Sequence, residues 1–188
     1  MYVTDEMIRR MERLYGVPGR ASFAFEVSRR EFDRIRFSQR NGRNHDVTLY
    51  IRKGDRLAVN AKPFYPPGLY RAPSGGLEPG EDFHDGIRRE VTEEVGCEIR
   101  LDRFVLRTAA TFTHGDEHID WRSFVFTADY VRGDFRFTDT REIAEVRLAR
   151  WADFDTFGRI MRQSDVGGLH YRAALHEEVE RLVCGDRK

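Results

Sequence analysis

Apolar and polar positions alternate along this chain with two periods, and the switches between them mark its elements. Met7, Ile8, Met11 and Leu14 recur at helical spacing after Thr4, and Gly16 and Pro18 end the run, which predicts a short helix over residues 4–15. Phe23, Phe25 and Val27 alternate along Ser22–Ser28, and Ile35 and Phe37 along Phe32–Ser38. With the polar link Arg29–Glu31 between them, the two segments read as a β-hairpin. Gln39–His45 has the composition of a linker. Val47–Ile51 and Leu57–Ala61 read as strands joined across Lys53-Gly54-Asp55, and Lys62–Gly68 as a proline-stiffened loop.

A second helix is predicted where Phe83, Ile87, Val91 and Val95 recur every four residues. Asp82 suits its N-cap and Gly96 its left-handed C′ position. Strands follow at Arg103–Thr113 and Ile119–Val131, joined by His114-Gly115-Asp116-Glu117-His118, and again at Ile143–Trp151. Two histidines four apart across a hairpin tip are a weaker metal signal than the same spacing along a helix, so a solvated turn is expected there. Phe154–Met161 and Gly168–Val183 read as closing helices.

Charge refines this picture. The 188 residues carry 32 basic and 32 acidic side chains, so bulk charge implies no polyanion partner. Residues 1–45 hold ten Arg against six acids, a net +4 set against −4 in the remainder. An ordinary Arg-rich surface is expected there, ahead of a nucleic-acid interface. Two cysteines are too few for a disulfide framework, no leader is read at the N-terminus and no run reaches the ~20 apolar residues of a membrane span. A cytoplasmic protein of one domain with terminal additions is the expectation: an extension over 1–45 and a main domain over 46–188. The extension is too small to hold a core alone. Its apolar residues must pack on the main domain or on a second copy, and a homodimer, with the extension closing one side of the substrate cleft, is the expectation.

The chemistry concentrates between residues 75 and 98, where eight acids face only Arg88 and Arg89. At about 100° per residue, Glu90 and Glu94 lie roughly 40° apart around the helix and Glu93 roughly 60° from Glu90. Carboxylates so crowded repel one another. They are either a solvated acidic face or a site for a hard divalent cation, which takes oxygen ligands.

The spacing decides. Gly75, Glu81 six residues on, Arg89-Glu90, apolar Val91, Glu93-Glu94, Gly96 and Cys97 together resemble the Nudix box, with all seven of its fixed letters present. The resemblance implies an α+β chain with the Nudix fold, an α/β/α sandwich around a mixed β-sheet; here an N-terminal helix and β-hairpin would be added to it. It implies Mg²⁺ or Mn²⁺ held by Glu90 and Glu94, with Glu93 as ligand or base and the Ser74 carbonyl as a backbone ligand. Arg89 would orient the carboxylates and Glu81 support the loop. The reaction implied is hydrolysis of the pyrophosphate bond in a nucleoside diphosphate linked to another moiety, by in-line attack of cation-activated water.

In some members of the family the base lies outside the box; Glu142 is then the best-placed candidate and Glu145 the second. Phe64 and Tyr70, with Tyr65, are candidates to stack on a nucleobase, or else pack beside the prolines; Arg71 completes the substrate-binding set. Thr111-Phe112-Thr113 stands where the proline of ADP-ribose hydrolases is expected, and no dinucleoside polyphosphate, NADH or coenzyme A signature is recognised. The alternative is a Nudix-fold module that senses a nucleotide or binds nucleic acid without turnover. Within the enzyme class, an RNA 5′ end is a minor option.

Overall fold

The computed structural model describes residues 3–39 and 42–185. Their backbone runs through α1 (Asp5–Tyr15), β1 (Gly19–Glu26), α2 (Arg29–Ser38), β2 (His45–Lys53), β3 (Arg56–Ala61) and β4 (Ser74–Gly75). It continues through α3 (Phe83–Glu94), β5 (Cys97–His114), β6 (Glu117–Gly133), β7 (Glu145–Ala149), α4 (Asp153–Gln163) and α5 (Gly167–Cys184). The strands form one mixed sheet in the order β1-β5-β6-β2-β3-β7, with β4 beside β2. β1 on β5 and β2 on β6 are parallel; the other pairs are antiparallel.

Alternation along β2 explains the layers. Tyr50 points into an apolar cluster with Phe154, Phe157, Leu175 and Val179 of α4 and α5. Its neighbours Leu49 and Ile51 point the other way, into a cluster with Ile8, Met11, Phe83, Ile87 and Val91 of α1 and α3. A sheet buried on both faces needs helices on both sides, and the α/β/α sandwich follows. Among the described residues, no helix is long and apolar enough to cross a membrane.

The N-terminal segment departs from the expected hairpin. β1 pairs in parallel with β5 from Gly19↔Leu106 to Glu26↔Thr113, and Phe32–Ser38 lies within the helix α2. Ser28 caps α2 by accepting a hydrogen bond from Glu31 N at 3.3 Å. Ser28-Arg29-Arg30-Glu31 has the S-x-x-E spacing of a capping box, and Phe32 and Ile35 are three apart on the inward face of the helix. Three apolar residues in seven, Phe32, Ile35 and Phe37, were too few to separate a period of 2 from one of 3.6. Phe32 is fully buried, Phe37 is 58 % exposed, and the Gln39–His45 linker lies partly outside the described residues. Met7, Ile8 and Met11 of α1 and Ala21, Phe23 and Phe25 of β1 pack into the chain's own core, while Leu14 of α1 is 56 % exposed.

Candidate active site

Phe83, Ile87 and Val91 are 1–3 % exposed and clamp α3 against the sheet, which turns its carboxylate edge toward the loop Ser74–Gly76. Asp82 caps the helix, accepting from Asp85 N at 3.0 Å. Glu94 is 4 % exposed and accepts from Asn60 Nδ2 at 3.1 Å. The side chain of Glu90 is 19 % exposed and that of Glu93 46 %. Gly75 makes room for Glu90: a Cβ there would collide with its carboxylate.

Burial, and after it the charge of Glu94, push the Glu90 carboxyl up to about 7. Burial also raises Glu94, partly opposed by the charges of Arg71 and Lys62. Arg89 ties the edge together. It donates to Glu81 at 2.8 and 2.9 Å, to Glu90 at 3.0 Å, to Glu93 at 3.4 Å and to the Gly76 carbonyl at 2.9 Å. Hydrogen bonding to Glu81 leads the rise in the Arg89 pKa, and the same bonds hold Glu81 below its ordinary value.

Among the described residues, no three acidic, His or Cys side chains converge closely enough to hold an ion. Arg89 engages Glu90 and Glu93 while Asn60 engages Glu94, so the oxygens are held apart. The donor set nevertheless fits a hard divalent cation: carboxylates on one edge, Glu94 buried and Glu90 partly so, each raised by burial, with the Asn60 Oδ1 left without a partner.

These carboxylates open into a cavity of ≈ 420 Å³. Ser74, Gly75, Gly76 and Arg71 form its floor beside α3, and Lys62, Asp139 and Glu142 part of its rim. The opposite wall comes from α2 (Glu31, Arg34, Ile35), from Phe112 and Trp121 of the sheet, and from Tyr171 and Arg172 of α5. There Asp46, 3 % exposed, accepts from Arg172 Nη2 at 2.6 Å and from Trp121 Nε1 at 2.9 Å.

Of the residues singled out from the sequence, Ser74, Glu90, Glu93, Glu94, Arg89, Arg71 and Glu142 line this one cavity, and Glu81 braces Arg89. Glu142 is 59 % exposed and tied to Lys62 at 2.6 Å; Glu145 accepts from Tyr70 at 2.6 Å instead. Tyr70 packs on Phe157 and lies outside the cavity lining, and Phe64 sits 62 % exposed beneath Arg34. The His114 ring meets the Val27 carbonyl at 2.9 Å, a structural contact. Sequence reasoning passed over Arg34, Arg43, Asp46, Trp121 and Arg172, because elements far apart in the chain bring them together.

A sandwich of this topology, with a Gly-Glu-Arg-Glu-Glu-Glu constellation at the mouth of a polar cavity, defines a hydrolase class, and comparison with known proteins agrees. A family model for the NUDIX domain matches residues 40–168. The chain belongs to the Nudix family of hydrolases. Relatives include the NAD-capped RNA hydrolase NudC of Chromobacterium violaceum, 31% identical over 109 residues, which are 58% of this chain and 37% of that protein. The protein of the same name from Pseudomonas syringae pv. tomato is 28% identical over 149 residues, 78% of this chain and 49% of the relative. The chain thus spans less than half the length of either relative. Among solved structures, a UDP-X diphosphatase shares the fold with a TM-score of 0.53 and 16% identity, over 83% of this chain and 72% of that one.

Proposed function

We infer that this chain is a divalent-cation-dependent hydrolase of the diphosphate linkage in a nucleotide derivative. The observation that carries the reading is the pairing of Glu90 with Glu94 on one buried helix edge, two carboxylates whose protonation is favoured by burial and which a bound cation would relieve. Mg²⁺ or Mn²⁺ held by Glu90 and Glu94, with the Ser74 carbonyl, would supply neutralising charge for the diphosphate and acidify water.

The chain's own groups do the rest. Arg89 fixes the Glu90 carboxylate and, through Glu81, the loop that carries Ser74. Glu93 is half-exposed to the cavity and is assigned the role of proton acceptor as water attacks phosphorus in line. Glu142 is already engaged by Lys62 at 2.6 Å. Phe112 and Trp121, 3 % and 7 % exposed, close the apolar side of the cavity.

The relatives' name points first to an NAD-capped RNA 5′ end as the substrate to try. The test is a screen with Mg²⁺ and with Mn²⁺ over NADH, NAD-capped RNA, ADP-ribose, nucleotide sugars and dinucleoside polyphosphates, scored by product identity. Two phosphomonoester products that form only with a cation are expected. Turnover that persists in EDTA would overturn the reading.

A further inference from the structure

Six cationic side chains line the cavity, and five are engaged. Arg89 holds Glu81, Glu90 and Glu93, Arg172 holds Asp46, and Lys62 holds Glu142. Arg34 lies 3.7 Å from Glu31, and Arg71 donates to the Ser74 hydroxyl. Arg43 is the sixth. Among the described residues it makes neither an ion pair nor a hydrogen bond, and its Nε is buried without a partner. A half-buried guanidinium left in that state carries a desolvation cost with little return. One contact offsets part of it: the guanidinium carbon lies 5.7 Å from the centre of the Trp121 ring, whose own N–H is fixed on Asp46.

Its position depends on Gly76. A Cβ on that residue would stand 2.5 Å from Arg43 Nη1 and 3.0 Å from Cζ, so the guanidinium rests where a side chain is missing. Gly75 gives Glu90 room in the same way. Adjacent Cα atoms are ~3.8 Å apart. Two neighbouring glycines therefore receive the carboxylate of the cation site and an unpaired guanidinium, both of which line one cavity without forming an ion pair. A guanidinium forks onto two oxygens of one phosphate. Gly76 is a variable position of the sequence motif and Arg43 lies outside it, so neither belongs to the motif's own chemistry.

We propose that Arg43 is a substrate-binding residue whose guanidinium holds the non-bridging oxygens of the phosphate farther from Glu90 and Glu94, fixing which phosphorus of the diphosphate lies over those carboxylates. This rests on the reading of the cavity as a diphosphate-hydrolysing site. Trp121 keeps the guanidinium in place before substrate arrives, and the ligand class is an organic diphosphate.

The test is calorimetric titration of the intact chain with inorganic pyrophosphate in the presence of Mg²⁺. Wild type is compared with Arg43→Gln, Arg43→Lys and Gly76→Ala, and each is also melted without ligand. Arg43→Gln is expected to weaken binding ~10–100-fold, as for losing a charge-assisted hydrogen bond. Arg43→Lys falls between, keeping the charge but losing the fork. Gly76→Ala keeps the guanidinium yet displaces it, so it also weakens binding, and it decides the matter should Arg43→Gln melt early. Wild-type affinity in Arg43→Gln and Gly76→Ala overturns the assignment and leaves the diphosphate reading intact. A wild-type protein that binds no pyrophosphate with Mg²⁺ or Mn²⁺ overturns that reading, and the role of Arg43 with it.

Discussion

Two sets of buried carboxylates face the same cavity, and burial acts on both in the same direction with opposite results. At Asp46 burial favours the neutral acid. The Arg172 charge and hydrogen bonds from Ser123, Trp121 and Arg172 more than offset it, and the carboxyl sits below its ordinary value. At Glu90 burial is followed by the charge of Glu94, and Arg89 only partly opposes the two, so the carboxyl rises to about 7. Depth alone does not separate the sites, because Asp46 and Glu94 are 3 % and 4 % exposed. Compensation separates them. Asp46 has a full charge partner in Arg172, whereas Arg89 only partly offsets the burial and repulsion on the α3 edge, and that difference is what a bound cation would act on.

The largest effect is expected where the completed set is broken. Arg172→Met leaves Asp46 buried beside Trp121 without its charge partner, and should remove about 3–5 kcal/mol of stability, the range for uncoupling a buried pair. Urea unfolding measures it. A loss under about 1 kcal/mol would mean that Asp46 is not held by Arg172, and the contrast between the walls would collapse.

The same kind of substitution on the α3 edge should act in the reverse sense. Glu94→Gln removes a repelling charge, so the cation-free protein should melt at the wild-type temperature or above. Turnover should fall at least ~10²-fold, the lower range for a catalytic group. Wild type should gain about 2.7 kcal/mol when cation reaches a hundred times its dissociation constant, and the variant should gain none. Thermal-shift titration beside a turnover assay separates these outcomes, and an unimpaired variant would sink the role of Glu94.

This contrast also sets what the sequence could disclose. The α3 edge was legible because its carboxylates lie on one helix at fixed offsets, where i, i+3 and i+4 relations translate directly into shared faces. The two-faced sheet came from the family resemblance that this motif carries, while Val47–Ile51 by itself disclosed only a strand. The Asp46–Arg172–Trp121 set was not, since residues 46, 121 and 172 meet only through the parallel pairing of β2 with β6 and the docking of α5. α2 was misread although Ser28 and Glu31 carried its capping signal, because an alternating pair of aromatic and aliphatic residues was given more weight. Phe64 and Tyr70 were chosen for their chemistry, and the structure turns one to solvent and the other onto Phe157.

Titration should sharpen the comparison with a smaller effect. Glu90 has a folded value near 7, above its unfolded value, so it stabilises the fold fully at low pH and loses that contribution as pH rises through 7. Asp46, lowered in the fold, behaves in reverse, and its contribution is lost only as pH falls below the ordinary aspartate range. His45 and His176, lowered by burial to about 4 and about 3, also favour the fold as pH rises. The signal is therefore read as the difference between wild type and Glu90→Gln. Without cation, wild type should lose about 1 kcal/mol more than the variant between about pH 6 and about pH 8. Saturating Mg²⁺ should abolish the difference, and an equal pH profile for the two proteins would contradict the raised Glu90 value.

Glu93 provides the smallest and most discriminating stability effect. It shares the α3 edge with Glu90 and Glu94 but is 46 % exposed, and its link to Arg89 is 3.4 Å long. Exposed pairs of this kind contribute about 0–1 kcal/mol, so Glu93→Gln should leave cation-free stability nearly unchanged in either direction. Its chemical effect should be large all the same, because an amide cannot accept the proton released by attacking water. Reduced turnover with an intact cation-dependent rise in melting temperature would place Glu93 as the proton acceptor. If that rise is lost as well, Glu93 belongs with Glu90 and Glu94 in holding the cation, and the acceptor is to be sought first at Glu142, an exposed carboxylate of the cavity lining.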